Sequence, residues 1–170
     1  MSERASADDE VADWVTAHET LLRLARERSE LEGREGRALL WAMRAGVHVH
    51  LGYGSFVEYV ERLFGYSPRT TMDKLRTAEA LEALPVLAHA LTEGELSWSA
   101  ARELARIATP ETERDWIDAS KGQTVRDIER LVAGHERGDR PDDAVRPHAV
   151  RHVLRFEVAA ETLATFRHAM

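Results

Sequence analysis

The 170-residue sequence has no cysteine and no asparagine, and only two of its 23 basic residues, Lys74 and Lys121, are lysines. Without cysteine there is no disulfide, no Cys-ligated zinc or iron–sulfur centre and no thiol nucleophile. That absence fits a reducing, cytoplasmic setting. No apolar run reaches the roughly 18 residues of a membrane-spanning helix. The opening MSERASADDE is acidic and polar where a secretory leader would be basic and then apolar. The motifs G-x-x-x-x-G-K-[ST], G-x-G-x-x-G and G-x-S-x-G are missing, so nucleotide hydrolysis, dinucleotide binding and the serine-hydrolase elbow have no support.

What is present is ordinary globular material, with 44% hydrophobic and 31% charged residues, enough for one medium domain or two small ones. The net charge of −7 argues against wholesale attraction to a polyanion. It is unevenly spread. Residues 1–36 carry a net −5, residues 37–82 a net +1 and residues 83–133 a net −3. Between positions 62 and 77, Arg62, Arg69, Lys74 and Arg76 oppose only Asp73.

Periodicity indicates helices almost throughout. Val11, Trp14, Val15, Leu21, Leu22, Leu24, Leu31, Leu39, Leu40 and Met43 recur at helical spacing, predicting one long helix or two in series over about 9–46. Gly33 and Gly36 mark the expected break, at about 1 kcal/mol each in a helix interior. Ser55 with Glu58 reads as a capping box, Ser67-Pro68 as a cap followed by a first-turn proline, and Ser97 as a further cap. Thr109-Pro110 repeats the cap-then-proline pattern, and Thr124 with Asp127 opens the last helix. Pro85 interrupts, while Gly65, Gly94 and Gly122 terminate. The count is six or seven helices, with Trp14, Trp41, Trp98 and Trp116 as expected core anchors.

After Gly134 the stretch GHERGDRPDDAVRPH offers little to bury and reads as an exposed linker over 134–149. Beyond it VRHVLRFEV predicts a strand, and Ala160–Met170 the start of a helix. A lone strand cannot satisfy its own backbone, so 150–170 is expected to open a second, truncated unit. The expected layout is a long helix or helix pair over 1–54, a helical domain over 55–133, the linker, and that opening segment. The fold class is therefore all-α, a multi-helical bundle containing a helix-turn-helix, with a C-terminal strand and partial helix.

The chemically suggestive part is Phe56–Ala80, a helix, a glycine turn and a second helix opening on Ser-Pro-Arg-Thr. A short turn makes the helices cross steeply and leaves the start of the second protruding, the arrangement that enters the major groove of DNA. If Thr71, Leu75 and Ala78 pack inward, then Arg69, Thr70, Asp73, Lys74 and Arg76 face outward. Ser67 and the first-turn amides offer a phosphate seat. Arg69, Thr70, Lys74 and Arg76 suit phosphates or base edges. Glu58 and Glu61 on the supporting helix work against phosphate contact.

The run from Gly54 to Asp143, including GSFVEYVERLFGYSPRTTMDKL and LPVLAHALTEGELSWSAARELA, resembles the helical N-terminal region of bacterial HNH-endonuclease proteins. EGREGRALLWAMRAG upstream and HVLRFEVAAETLATFRHAM downstream continue the likeness. The SPRT-type helix with its successor is more loosely similar to the helix-turn-helix region of ParB-like partition proteins. Both resemblances imply double-stranded DNA as the partner. In the nuclease family the catalytic part lies downstream, beyond Met170.

An HNH site needs histidine as metal ligand and as general base, and an asparagine to orient it. With no asparagine or cysteine the chain is expected to carry no catalytic residues, and no cofactor is implied. His48 and His50 diverge on a helix end, and His148 and His152 on a strand would stand about 13 Å apart. No metal site is expected. The leading expectation is a DNA-binding or targeting region of an HNH-endonuclease-like protein, through Ser67, Arg69, Thr70, Lys74 and Arg76. The alternatives are a protein-interaction or homo-oligomerisation module acting through the acidic N-terminal helix, and a partition-type or transcriptional regulator.

Overall fold

The computed structural model describes residues 3–146, with side chains from Asp13 onward. Its helices are α1 (Glu3–Arg44), α2 (Val47–His50), α3 (Phe56–Phe64), α4 (Pro68–Glu82), α5 (Pro85–Thr92), α6 (Trp98–Ala105), α7 (Glu113–Ser120) and α8 (Val125–Val132). Among the described residues there are eight helices and no strand. This corrects the expected architecture of six or seven helices followed by a strand-led unit to an all-α bundle. The segment 150–170, where strand and partial helix were expected, lies outside the described residues. Among the described residues no helix is long and apolar enough to cross a membrane.

Local signals set most boundaries. The Oγ atoms of Ser55, Ser67 and Ser97 accept from the third residue of α3, α4 and α6 respectively, and Thr124 with Asp127 forms a reciprocal capping box on α8. The α3 cap departs from the box in one detail: Glu58 reaches back to the Gly54 amide, 3.1 Å away, instead of that of Ser55. Gly65 closes α3 in the left-handed conformation, φ 70°. The Thr109-Pro110 expectation is corrected, because α7 starts at Glu113 with Thr112 as its N-cap. Thr112 Oγ1 instead accepts from the Thr109 amide at 3.0 Å and holds the preceding turn.

The long first helix is unbroken to Arg44, and Gly33 and Gly36 are the reason it packs closely. A Cβ at Gly33 would lie 3.2 Å from the Leu91 side chain, and one at Gly36 would lie 2.5 Å from the Trp98 ring. The glycines let α5 and α6 press against the α1 backbone, and that packing offsets their poor helix propensity. Leu39 and Leu40 join the core from the same helix. Arg44 closes the far end by donating Nη1 and Nη2 to Glu82 at 2.6 and 2.8 Å, a pair that lies in solvent and adds little stability.

The core runs from Leu75, Ala78 and Leu81 through Leu84, Leu87 and Leu91 to Leu104, Trp116 and Ile128. Each fully buried Leu contributes about 1.5–3 kcal/mol of transfer free energy. Trp98 and Trp116 are core anchors as expected, whereas Trp14 and Trp41 are 61% and 75% exposed. Residues 134–146, expected to form part of an exposed linker, instead fold back on the bundle. His135 is buried edge-on against Trp116, whose Nε1 donates to the Asp139 carbonyl at 2.8 Å, and the Gly138 amide donates to the Ile107 carbonyl at 2.8 Å. Arg146 pairs with Glu136 and Asp139, and Arg140 with Asp115.

Candidate nucleic-acid interface

At the α3–α4 corner the turn, the helix start and the inward-facing set are as expected. Gly65-Tyr66-Ser67 joins the helices, Pro68 occupies the first turn of α4, and Thr71, Leu75 and Ala78 are all buried. Ser67 Oγ accepts from the Thr70 amide at 3.1 Å and lies 2.8 Å from Thr70 Oγ1, so these two hydroxyls are mutually engaged at the exposed helix start. Arg69 and Arg76 stand in solvent on either side of Asp73, at 3.8 and 3.4 Å.

Lys74 is placed differently. It is buried, with Nζ 3.0 Å from Glu35 Oε1 of α1, and 5.3 and 4.9 Å from the ring centres of Tyr66 and Trp98. The ammonium is thus held by one carboxylate and two aromatic faces, and it leaves the outward set with Arg69, Thr70 and Arg76. Tyr66 donates its hydroxyl to Glu35 Oε2 at 3.2 Å. Burial first, and then this carboxylate, push the Tyr66 phenol above the usual tyrosine range.

Two cations that the charge windows hid take the place of Lys74. Arg69, Asp73, Arg76, Thr77 and Ala80 of α4 face Arg102, Glu103 and Ala105 of α6, with Arg106 just beyond, across an open groove of about 540 Å3. The Glu103 side chain is buried and serves two guanidiniums. Its Oε1 accepts from Arg102 Nε and Nη2 at 3.1 and 2.8 Å, and its Oε2 from Arg106 Nη1 at 2.6 Å. Asp73 lies between Arg69 and Arg76 more loosely, accepting from Arg76 Nη1 at 3.4 Å with Arg69 Nε 3.8 Å away. Four guanidiniums against two carboxylates leave the groove at +2. The local signal was legible in principle: Arg102 and Arg106 are four apart on one helical face.

No protein family, curated protein or solved structure matches the chain.

Among the described residues no three His, Asp or Glu side chains gather as a metal site. His48 lies edge-on to Phe56, with ring centres 5.8 Å apart, and is a packing residue. What the groove offers is guanidinium N–H groups, those of Arg102 and Arg106 oriented in advance by the buried Glu103 carboxylate.

Proposed function

We propose that this chain is a non-catalytic module that binds the backbone of double-stranded DNA, acting as the targeting region of an HNH-endonuclease-like protein. The observation that carries the reading is the groove in which Arg69 and Arg76 of α4 face Arg102 and Arg106 of α6. The α3–α4 corner, with Ser67, Arg69 and Thr70 exposed at the start of α4, supports it. So does the resemblance of Gly54–Asp143 to the nuclease family's N-terminal region. Such a role is exercised in the cytoplasm.

Binding governed by four phosphate contacts has a steep salt dependence, with log K falling against log salt at a slope near −3.6. Fluorescence anisotropy with a labelled duplex tests the reading. Arg69→Ala with Arg76→Ala, and Arg102→Ala with Arg106→Ala, are each expected to weaken binding and to flatten the slope by roughly 2. Absence of binding at low salt, or an affinity indifferent to both double variants, overturns it. Strong preference for one sequence over random duplex would favour a partition-type or transcriptional regulator instead.

A further inference from the structure

The described part of α1 divides into two stretches. From Ser29 onward it buries side chains against the bundle, but from Asp13 to Arg28 it buries none, and Trp14, Leu21 and Leu24 are all exposed. Trp14, Ala17, Leu21, Leu24, Arg28 and Leu31 follow one another at alternating steps of three and four, the seam spacing of a two-stranded coiled coil. The seam lies on another side of the helix from Gly33, Gly36 and Leu40, so the bundle does not cover it. At its C-terminal end it runs into an apolar groove of about 480 Å3 lined by Leu31, Ala38 and Ala42 of α1 and Leu63 and Phe64 of α3.

We propose that this seam pairs antiparallel with the seam of a second copy of the chain. Charge selects the occupant and the direction. In a parallel pair the flanking positions would set Glu27 against the partner's Glu32, a repulsion repeated on both sides and only partly offset by Arg23 and Arg28 of the same helix. In the antiparallel pair centred between Leu22 and Arg23, Leu21 meets the partner's Leu24 and Trp14 meets the partner's Leu31. The small Ala17 faces the long Arg28 of the partner, which fixes the register. The flanking Asp13 then meets the partner's Arg34. Neither Asp13 nor Arg34 has an ion-pair partner among the described residues of its own chain, and two-fold symmetry makes every one of these contacts twice. The overlap is about 20 residues, or some 30 Å of helix.

Light scattering and sedimentation on the full chain test this. At about 100 µM the protein is expected to have twice the chain mass, and Leu21→Asp with Leu24→Asp to halve it, while far-UV circular dichroism keeps the bundle's helix signal. Asp13→Arg is expected to raise the dimer Kd by about tenfold, and adding Arg34→Asp to bring it back. A monomeric parent protein, or a dimer indifferent to the Leu21/Leu24 variant, overturns the proposal. Failure of the double charge swap to restore the dimer overturns the antiparallel register. Because these variants leave Arg69, Arg76, Arg102 and Arg106 untouched, loss of the dimer and loss of DNA binding by the protomer are read separately.

Discussion

Gly36 lies under the ring of Trp98, so close that a Cβ there would sit 2.5 Å from the ring's outer edge. Gly36→Ala gains up to about 1 kcal/mol of helix propensity, yet must displace a buried indole. A net loss of about 1–3 kcal/mol is expected, read from urea melts. Gly33→Ala, whose 3.2 Å neighbour is the flexible Leu91 side chain, should cost less. A stabilised Gly36→Ala would mean that α1 and α6 are not in this contact.

Glu113 caps a helix that cannot cap itself. The residue before α5 is Leu84, with no side-chain cap, and the Leu87 amide donates instead to buried Glu113 Oε2 of α7 at 2.9 Å. Glu113→Ala leaves that amide unsatisfied and is expected to cost about 1–3 kcal/mol. Glu113→Gln, which keeps an acceptor, should retain part of it. Equal melting curves for the two variants would contradict the cap.

Lys74 and Arg76, two residues apart, should respond oppositely to removal. Lys74→Ala strands Glu35 in its aromatic surroundings and is expected to destabilise the fold by about 3 kcal/mol. Replacing Glu35 by Gln in the same chain should recover part of that loss. Arg76→Ala lies at an exposed position and should change stability by less than about 0.5 kcal/mol while weakening duplex binding. Thermal melts and anisotropy on the same samples separate the two.

Tyr66 gives a pH signature. Its folded phenol titrates above the ordinary tyrosine value of about 10, raised first by burial and then by Glu35. The folded state therefore favours the neutral phenol. The stabilisation is fully present below the unfolded pKa and is lost as pH rises through the folded one. Alkaline absorbance titration should show one late-ionising tyrosine, absent in Tyr66→Phe and shifted back toward normal in Glu35→Gln. A phenol that ionises at the ordinary value would contradict the burial.

Sequence signals of short range served well. Ser55, Ser67, Ser97 and Thr124 cap the helices they were expected to cap, because a cap is settled within four residues. Glycines 33 and 36 misled because propensity is local, while what fixes their role is an indole and a leucine from distant helices. Lys74 looked outward for a similar reason: its partners come from α1, the α3–α4 corner and α6. Arg102 and Arg106 were diluted by averaging charge over a net acidic stretch, although their pairing around Glu103 is only four residues long. Residues 134–146 look like a spacer by composition, and nothing local reveals that His135 meets Trp116.

That last contact moves the edge of the folding unit. A version of the chain cut after α8 would strip the indole of Trp116 of its covering imidazole, free its N–H from the Asp139 carbonyl and release the Ile107 carbonyl from Gly138. The loop is the lid of the core, and a trimmed protein would be expected to show a red-shifted tryptophan emission and cling to apolar dyes.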